Sequence, residues 1–232
     1  MTRYLIVGGG MTADAAVKGI REMDSEGSIS LISSESDPPY SRPPLLKGLW
    51  KGDKENSIWR HTHEAGADLI LGRTVKTLDR KAKTVTDDMG IIYTYDKLLL
   101  ATGGHPRTLP FGGDGILYYR TLQDYHKLRE LSGTSKRVGV IGGGFIGSEV
   151  AAALALNNTQ VLMFMREQTL NGDRYPKDLG EFLNDTYRQH GVEVVPGVSI
   201  TGVEQRANLY AITGQFDQTK QQREWLVDAV VA

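Results

Sequence analysis

Tyr4-Leu-Ile-Val-Gly-Gly-Gly-Met-Thr-Ala13 returns in the same order of chemical types as Val138-Gly-Val-Ile-Gly-Gly-Gly-Phe-Ile-Gly147, 134 positions further on. Each copy is a short apolar run, a glycine-rich turn and then small and apolar residues at helical spacing. That is the strand, phosphate loop and helix of a dinucleotide-binding βαβ unit. Gly8 and Gly142 are placed to turn the chain out of the strand. Gly10 and Gly144 lack the Cβ that would hold the backbone off a pyrophosphate. The diphosphate then meets a helix N-terminus, where free N–H groups and the positive end of the dipole favour an anion. Ala13 and Gly147 occupy the third small position, which lets helix and strand approach. One such motif is equally well a glycine turn before an ordinary helix; its repetition in one chain points to two dinucleotide sites.

The second strand of such a unit ends near an acid that holds the adenosine ribose, about 20 residues past the last small position. Glu35 lies 22 residues after Ala13, and Glu167 lies 20 after Gly147. A carboxylate there accepts ribose hydroxyls and repels a 2′-phosphate, so both sites read as NAD-like. Arg166, beside Glu167, is what an NADP-preferring pocket supplies. The reading favours NADH over NADPH, with solvated strand ends as the plain alternative for both acids.

The chain has 232 residues, 27 basic against 28 acidic, and no cysteine. That length suits two packed units. Balanced charge gives no reason to expect a nucleic-acid partner or an anionic membrane surface. No apolar stretch is long enough to span a bilayer and no signal peptide is visible, so a cytoplasmic protein is expected. Without cysteine the chain carries no disulfide, thiolate metal site, thiol nucleophile or redox dithiol.

Between the loops, Asp37 to Pro44 is proline-dense; its one cation, Arg42, could chelate a pyrophosphate, and Lys47 could reach a cofactor's reactive end. Val75 opens an alternation typical of a small antiparallel insertion, with Asp87-Asp-Met-Gly90 as a hairpin turn. Tyr95 to Gly103 reads as a buried strand entering a small-residue turn at Ala101, Thr102 and Gly103. Pro176 to His190 is expected to form an amphipathic helix covering the sheet with Leu179, Phe182, Leu183 and Tyr187. His61 and His63 have the spacing of metal ligands on a strand but no evident third ligand, and Trp59 could stack on a ring or fill a gap.

These stretches together resemble a family. Gly8 to Ala13, Glu35, PPYSRPPLLK from Pro38 to Lys47, TYDKLLLATGGHPR from Thr94 to Arg107, and VGVIGGGFIGSE from Val138 to Glu149 are similar to the FAD-dependent pyridine nucleotide-disulfide oxidoreductase superfamily. The likeness is strongest to the branch of ferredoxin, rubredoxin and putidaredoxin reductases and apoptosis-inducing factor. It implies an α/β fold of two Rossmann-like units of the glutathione-reductase type. The first, over about 1–120, would hold FAD and carry the small insertion; the second, over about 121–232, would hold NAD(P)H.

By this resemblance Gly10, Met11, Thr12 and Ala13 cradle the FAD diphosphate, Glu35 takes its ribose, Arg42 and Lys47 line its far end, and Val75 offers backbone to the adenine. Thr102 and Gly103 pack on the FAD, with Arg107 just beyond. Gly143, Gly144, Phe145 and Ile146 match the nicotinamide-nucleotide loop, Glu167 matches its ribose contact, and Glu149 a carboxylate that approaches the flavin and pairs with Lys47. The implied reaction passes hydride from NADH to FAD and electrons to an iron–sulfur ferredoxin or rubredoxin; alternatives are an NADH oxidase and a redox-controlled binding module like apoptosis-inducing factor. Leu46 departs from the family's serine, and Asp173 stands where a basic residue helps hold NAD. In the family the strand at Leu226 to Ala232 runs on into a glycine and a returning domain, so this stretch alone is expected to be inactive and to hold flavin weakly.

Overall fold

The computed structural model describes residues 1–133 and 136–232, and these divide into two compact units. The first comprises residues 1–44 and 53–105. In chain order it contains β1 (Arg3–Val7), α1 (Met11–Met23), β2 (Ser28–Ile32), β3 (Ala67–Ile70), β4 (Val75–Asp79), β5 (Thr84–Asp87), β6 (Ile92–Thr94) and β7 (Lys97–Leu100). The apolar runs Leu5-Ile-Val7 and Ile29 to Ile32 are central strands buried on both faces, as a parallel sheet demands. The sheet order is β3-β2-β1-β7, every pair parallel. The α1 helix closes one face, with Ala13 and Val17 fully buried against Ile6, Ile29 and Leu31.

The expected insertion is a three-stranded antiparallel sheet, β4-β5-β6. Its hairpin is held by Asp87, which accepts from the N–H groups of Met89 and Ile91, from the Tyr93 hydroxyl at 2.8 Å and from Arg73. Burial alone would push the Asp87 carboxyl up; these bonds outweigh it and hold it at about 2.

The second unit comprises residues 45–52 and 106–232. It contains β8 (Ile116–Leu117), α2 (Leu122–Leu131), β9 (Arg137–Ile141), α3 (Phe145–Leu156), β10 (Gln160–Phe164), α4 (Lys177–Gln189), β11 (Val192–Val195), β12 (Val198–Arg206), β13 (Leu209–Phe216), β14 (Gln222–Val227) and β15 (Ala229–Val231). Its parallel sheet has the order β11-β10-β9-β15-β8, and β12-β13-β14 form an antiparallel sheet. With the edge strand β8 set aside, each unit threads three antiparallel strands between the third and fourth strands of the same parallel order, so the repeat in sequence is a repeat in topology. The antiparallel sheet is fastened to the parallel one through Phe164 and Trp225, whose rings meet edge to face at 4.9 Å, a contact adding about 0.5–1.5 kcal/mol beyond burial.

Three expectations shift. The division falls at 105/106 rather than 120/121, because Ile116 and Leu117 pair with β15 and Leu109, Phe111 and Tyr118 pack on the second unit's core. Residues 45–52 also belong to the second unit. Trp50 holds them there: its ring meets Tyr125 edge-on at 5.8 Å and lies under Arg129, and its indole N–H donates to the Leu45 carbonyl at 2.8 Å. Finally, α4 turns its small and polar side inward. Gly180 and Asn184 are buried while Leu179 and Phe182 stay exposed at 42% and 66%. A Cβ on Gly180 would overlap the Thr169 side chain, so the helix lies too close to the loop before it for an apolar face to fit.

Candidate functional site

In both units the glycine loop is built alike. Gly8 (φ +127°) and Gly142 (φ +124°) turn the chain out of the strand, their N–H groups donating at 2.8 Å to the carbonyls of Ile32 and Phe164 at the end of the neighbouring strand. Only glycine adopts such φ values freely. At Gly8 space also forbids a side chain, since a Cβ would strike the Ala101 carbonyl; at Gly147 it would strike the carbonyl of Gly142. Ala13, fully buried, shows that the first unit leaves room for a methyl where the second does not.

Gly10 and Gly144 are different. They are the N-caps of α1 and α3, with no side chain capping either helix, and a Cβ on either would meet no protein atom within 4 Å. It would stand in open space. The uncapped helix N-termini that these glycines begin offer unfilled N–H donors suited to a diphosphate. Met11, Thr12, Phe145 and Ile146, the first residues of the two helices, are exposed there. The cradle fits the diphosphate of a dinucleotide in each unit.

The acids occupy equivalent places. Ser33 and Met165 directly follow the second strands and sit against the middle glycines, Gly9 and Gly143, and the glutamates come two residues later. Glu35 is half-buried and already engaged: it accepts from the Tyr40 hydroxyl at 2.6 Å and pairs with Arg42, whose guanidinium also lies 5.1 Å from the centre of the Tyr40 ring. The structure thus brings Arg42 to Glu35, where the sequence reading gave them separate parts of a ligand. A carboxylate with about four acceptor sites keeps capacity for ribose hydroxyls after both bonds. Glu35 is tied by its carbonyl to the Gly72 N–H at 3.0 Å, which brings the chain leading into Val75 alongside it.

The proline loop is secured from below. Asp14 in α1 is fully buried and accepts from the Thr62 hydroxyl at 2.7 Å, Arg60 at 2.8 and 2.9 Å and Lys18 at 3.0 Å. Burial would raise its carboxyl; these partners outweigh that and hold it below the ordinary range. The Arg60 N–H in turn donates to Pro39, and the Ser41 N–H to Ile58. Trp59 packs edge-on against Tyr40 at 6.1 Å. Sequence reasoning missed Asp14 and Tyr40; an acid inside the apolar stripe of α1 was the available signal. Ala101 closes on Gly8, and Thr102 and Gly103 leave the strand exposed. Arg107 is exposed and belongs to the second unit.

In the second unit Gly142, Gly143 and Gly144 open onto a cleft of about 460 Å³ lined also by Arg166, Glu167, Asn171 and Arg174, a size suited to part of a dinucleotide. Asp173, where the family carries a base, lies 3.5 Å from the neighbouring Arg174, whose guanidinium stacks 4.9 Å from the centre of the Phe145 ring at the start of α3. A cation thus stands beside the start of α3, one residue after Asp173. Lys47 Nζ lies 3.5 Å from Glu149 Oε1, the two side chains 60% and 37% exposed, so the expected pair forms within the second unit. Behind it the Tyr187 hydroxyl donates to the Ser148 carbonyl at 3.0 Å. Burial is the main cause that pushes this phenol up, and the Glu149 charge adds to it. His61 and His63 have ring centres 6.3 Å apart, and no group of three or more metal-ligating side chains occurs among the described residues. Nor is any described helix long and apolar enough to cross a membrane.

The pyridine nucleotide-disulphide oxidoreductase family profile matches residues 2–232. The chain is 34% identical over 228 residues to "Apoptosis-inducing factor 1, mitochondrial" of Dictyostelium discoideum, covering 87% of this chain and 43% of that protein. It is 32% identical over 211 residues to the 5,5'-dehydrodivanillate O-demethylase ferredoxin reductase subunit of a Sphingobium species, covering 86% of this chain and 50% of that one. Among solved structures, the covalent putidaredoxin reductase–putidaredoxin complex superposes with a TM-score of 0.86 at 28% identity, over 100% of this chain and 58% of the other. The chain thus spans about half the length of the curated relatives it matches.

Proposed function

The chain belongs to the pyridine nucleotide-disulphide oxidoreductase family, and on that premise we propose that it serves an NADH-dependent flavoprotein reductase whose electrons go to a small iron–sulfur ferredoxin or a rubredoxin. The observation that carries the reading is the doubled cradle. Each unit has an uncapped helix N-terminus, an N-cap glycine beside open space, and a glutamate two residues past the strand-end side chain. Identity to a ferredoxin reductase subunit supports the acceptor class.

When bound, FAD accepts a hydride from the reduced nicotinamide and gives up its electrons one at a time. The residues bind, orient and charge. The α1 N-terminus takes the FAD diphosphate, Glu35 takes its ribose while Tyr40 and Arg42 fix the carboxylate, and Val75, Thr102 and Gly103 border the same ligand. The α3 N-terminus with Arg174 takes the nicotinamide dinucleotide, and Glu167 reads its ribose as a hydroxyl rather than a phosphate. Lys47 and Glu149, an exposed ion pair, supply charge that tunes the flavin. A cytoplasmic setting belongs to the same proposal.

A redox-controlled binding module is the second reading, favoured by the 34% identity to the Dictyostelium apoptosis-inducing factor. Steady-state NADH oxidation separates the possibilities, run with FAD, with and without a small iron–sulfur acceptor, and with and without oxygen. Turnover that depends on the acceptor supports the reductase. Turnover that depends on oxygen instead identifies an oxidase, and flavin and NADH binding without turnover, in a protein that carries the returning domain as well as this stretch, identifies the module.

A further inference from the structure

The cleft at the second glycine loop has to accept an anion, yet its charged lining is mixed: Arg166 and Arg174 are matched by Glu167 and Asp173. Glu167 has a part in the site as the acceptor for ribose hydroxyls. Asp173 has none so far. It stands in the chain between β10 and α4, and that chain is tied to the glycine loop. Asn184, buried in α4, accepts from the Leu170 N–H at 3.0 Å and donates to the Gln168 carbonyl at 2.9 Å. The Asn171 N–H donates to the Gly143 carbonyl at 2.9 Å, and the Asn171 carbonyl accepts from the N–H groups of Arg174 and Tyr175. This turn holds Asp173 and Arg174 beside the start of α3, where the Arg174 guanidinium lies over the Phe145 ring. The side chains of Asp173 and Arg174 are 61% and 52% exposed, with 3.5 Å between Asp173 Oδ2 and Arg174 Nε.

We infer that Asp173 is a specificity-determining residue of this cleft: its charge penalises a nucleotide that carries a 2′-phosphate more than one with free ribose hydroxyls, and so favours NADH over NADPH. The inference rests on the cleft being the nicotinamide-dinucleotide site. Two effects have the same sign. Asp173 attracts the Arg174 guanidinium, and part of that attraction is given up when a phosphate takes the guanidinium instead. It also acts on the ligand directly, because Coulomb energy scales with the product of the charges and needs no contact. The 2′-phosphate of NADPH adds about 1.5–2 negative charges at neutral pH to the diphosphate that both nucleotides share. One carboxylate therefore repels NADPH about twice as strongly as NADH at comparable distances. With both arginines and both acids charged the lining is balanced, so the loss of one acid leaves it positive.

The competing explanation is that Asp173 only shapes the turn. Asp173→Asn separates the two, because it keeps the size and turn preference of the side chain and removes the charge; the residue is exposed, and thermal unfolding checks that the variant is folded. NADH and NADPH are titrated into the 232-residue chain and into the variant, with nicotinamide fluorescence as the readout. The expected result at low ionic strength is NADPH binding about five- to tenfold tighter in the variant and NADH binding about two- to threefold tighter. In about 1 M salt, where the Debye length is about 3 Å, the gain in NADPH affinity relative to NADH should vanish. Asp173→Glu, which restores the charge, should keep the parent's ratio of NADH to NADPH affinity. A ratio unchanged in Asp173→Asn, a gain that survives salt, or a ratio lost in Asp173→Glu overturns the inference while leaving the nucleotide site standing. Absence of NADH binding to the parent chain overturns the site reading and the inference with it.

Discussion

Replacing Asp14 by alanine tests whether the first nucleotide site is held together by a buried acid. The carboxylate is inaccessible to solvent, and its partners differ in what they would be left with. The side chains of Arg60 and Lys18 are 33% and 49% exposed, so water recovers both, and each ion pair contributes only about 0.5 kcal/mol. Thr62 is 1% exposed, and its hydroxyl would remain buried without an acceptor, at about 1–3 kcal/mol. An acid in the first turn of α1 adds about 0.3–1 kcal/mol through the helix dipole. Asp14→Ala should therefore cost about 2–5 kcal/mol, and Asp14→Asn, which keeps an oxygen for Thr62, about 1–2 kcal/mol.

The pH dependence has a definite sign. The partners hold the folded carboxyl below its ordinary value, so the stabilisation is complete above that ordinary value, about 3.9, and is lost as pH falls through the lower folded one. Urea denaturation followed by circular dichroism at pH 7 and pH 3 measures both effects. The gap between the parent and Asp14→Asn should be largest at pH 7 and should shrink in acid. A loss under about 0.5 kcal/mol for Asp14→Ala at pH 7, typical of an unremarkable surface substitution, or a gap that grows in acid, would refute the reasoning. Because Arg60 carries the bond to Pro39, the same variant should also bind FAD more weakly.

Further outcomes follow from the cradles. Glu167→Ala should raise the NADH dissociation constant about tenfold or more, since a hydrogen bond to a charged group contributes about 1.5–3 kcal/mol, and should relax rejection of NADPH; a parent protein that already prefers NADPH would contradict the assignment. Glu149→Ala should change the rate of flavin reduction in stopped-flow while leaving NADH affinity and stability nearly intact, because the pair with Lys47 is solvent-exposed and such pairs contribute at most about 1 kcal/mol. Gly144→Ala should leave the unfolding temperature almost unchanged but weaken NADH binding, whereas Gly147→Ala should lower the unfolding temperature itself, because only the second Cβ meets protein atoms; equal behaviour of the two variants would undo the division between ligand-facing and packing glycines.

The amino-acid sequence by itself determined whatever depends on local geometry. Glycines at 8 and 142 require a positive φ, apolar runs before them require buried strands, and the spacing to Glu35 and Glu167 follows from the length of one helix and one strand, so both cradles and the strand–loop–helix repeat were legible from residue types alone. The hairpin at Asp87 was legible for the same reason. Tertiary structure decided what depends on contacts between distant segments. Nothing local places residues 45–52 with the second unit; Trp50 does so by packing on Tyr125 and Arg129, more than 70 positions away. Periodicity assigned Leu179 and Phe182 to the core, but the close approach of α4 to Thr169 turned Gly180 and Asn184 inward instead. Asp14 could be read as an acid in a first turn, yet its burial depends on Arg60 and Thr62 arriving from beyond the proline loop. Asn171 looked like any loop residue. It is buried only because the Gly143 and Asn184 contacts, made across the fold, enclose a side chain that short-range sequence would leave to water.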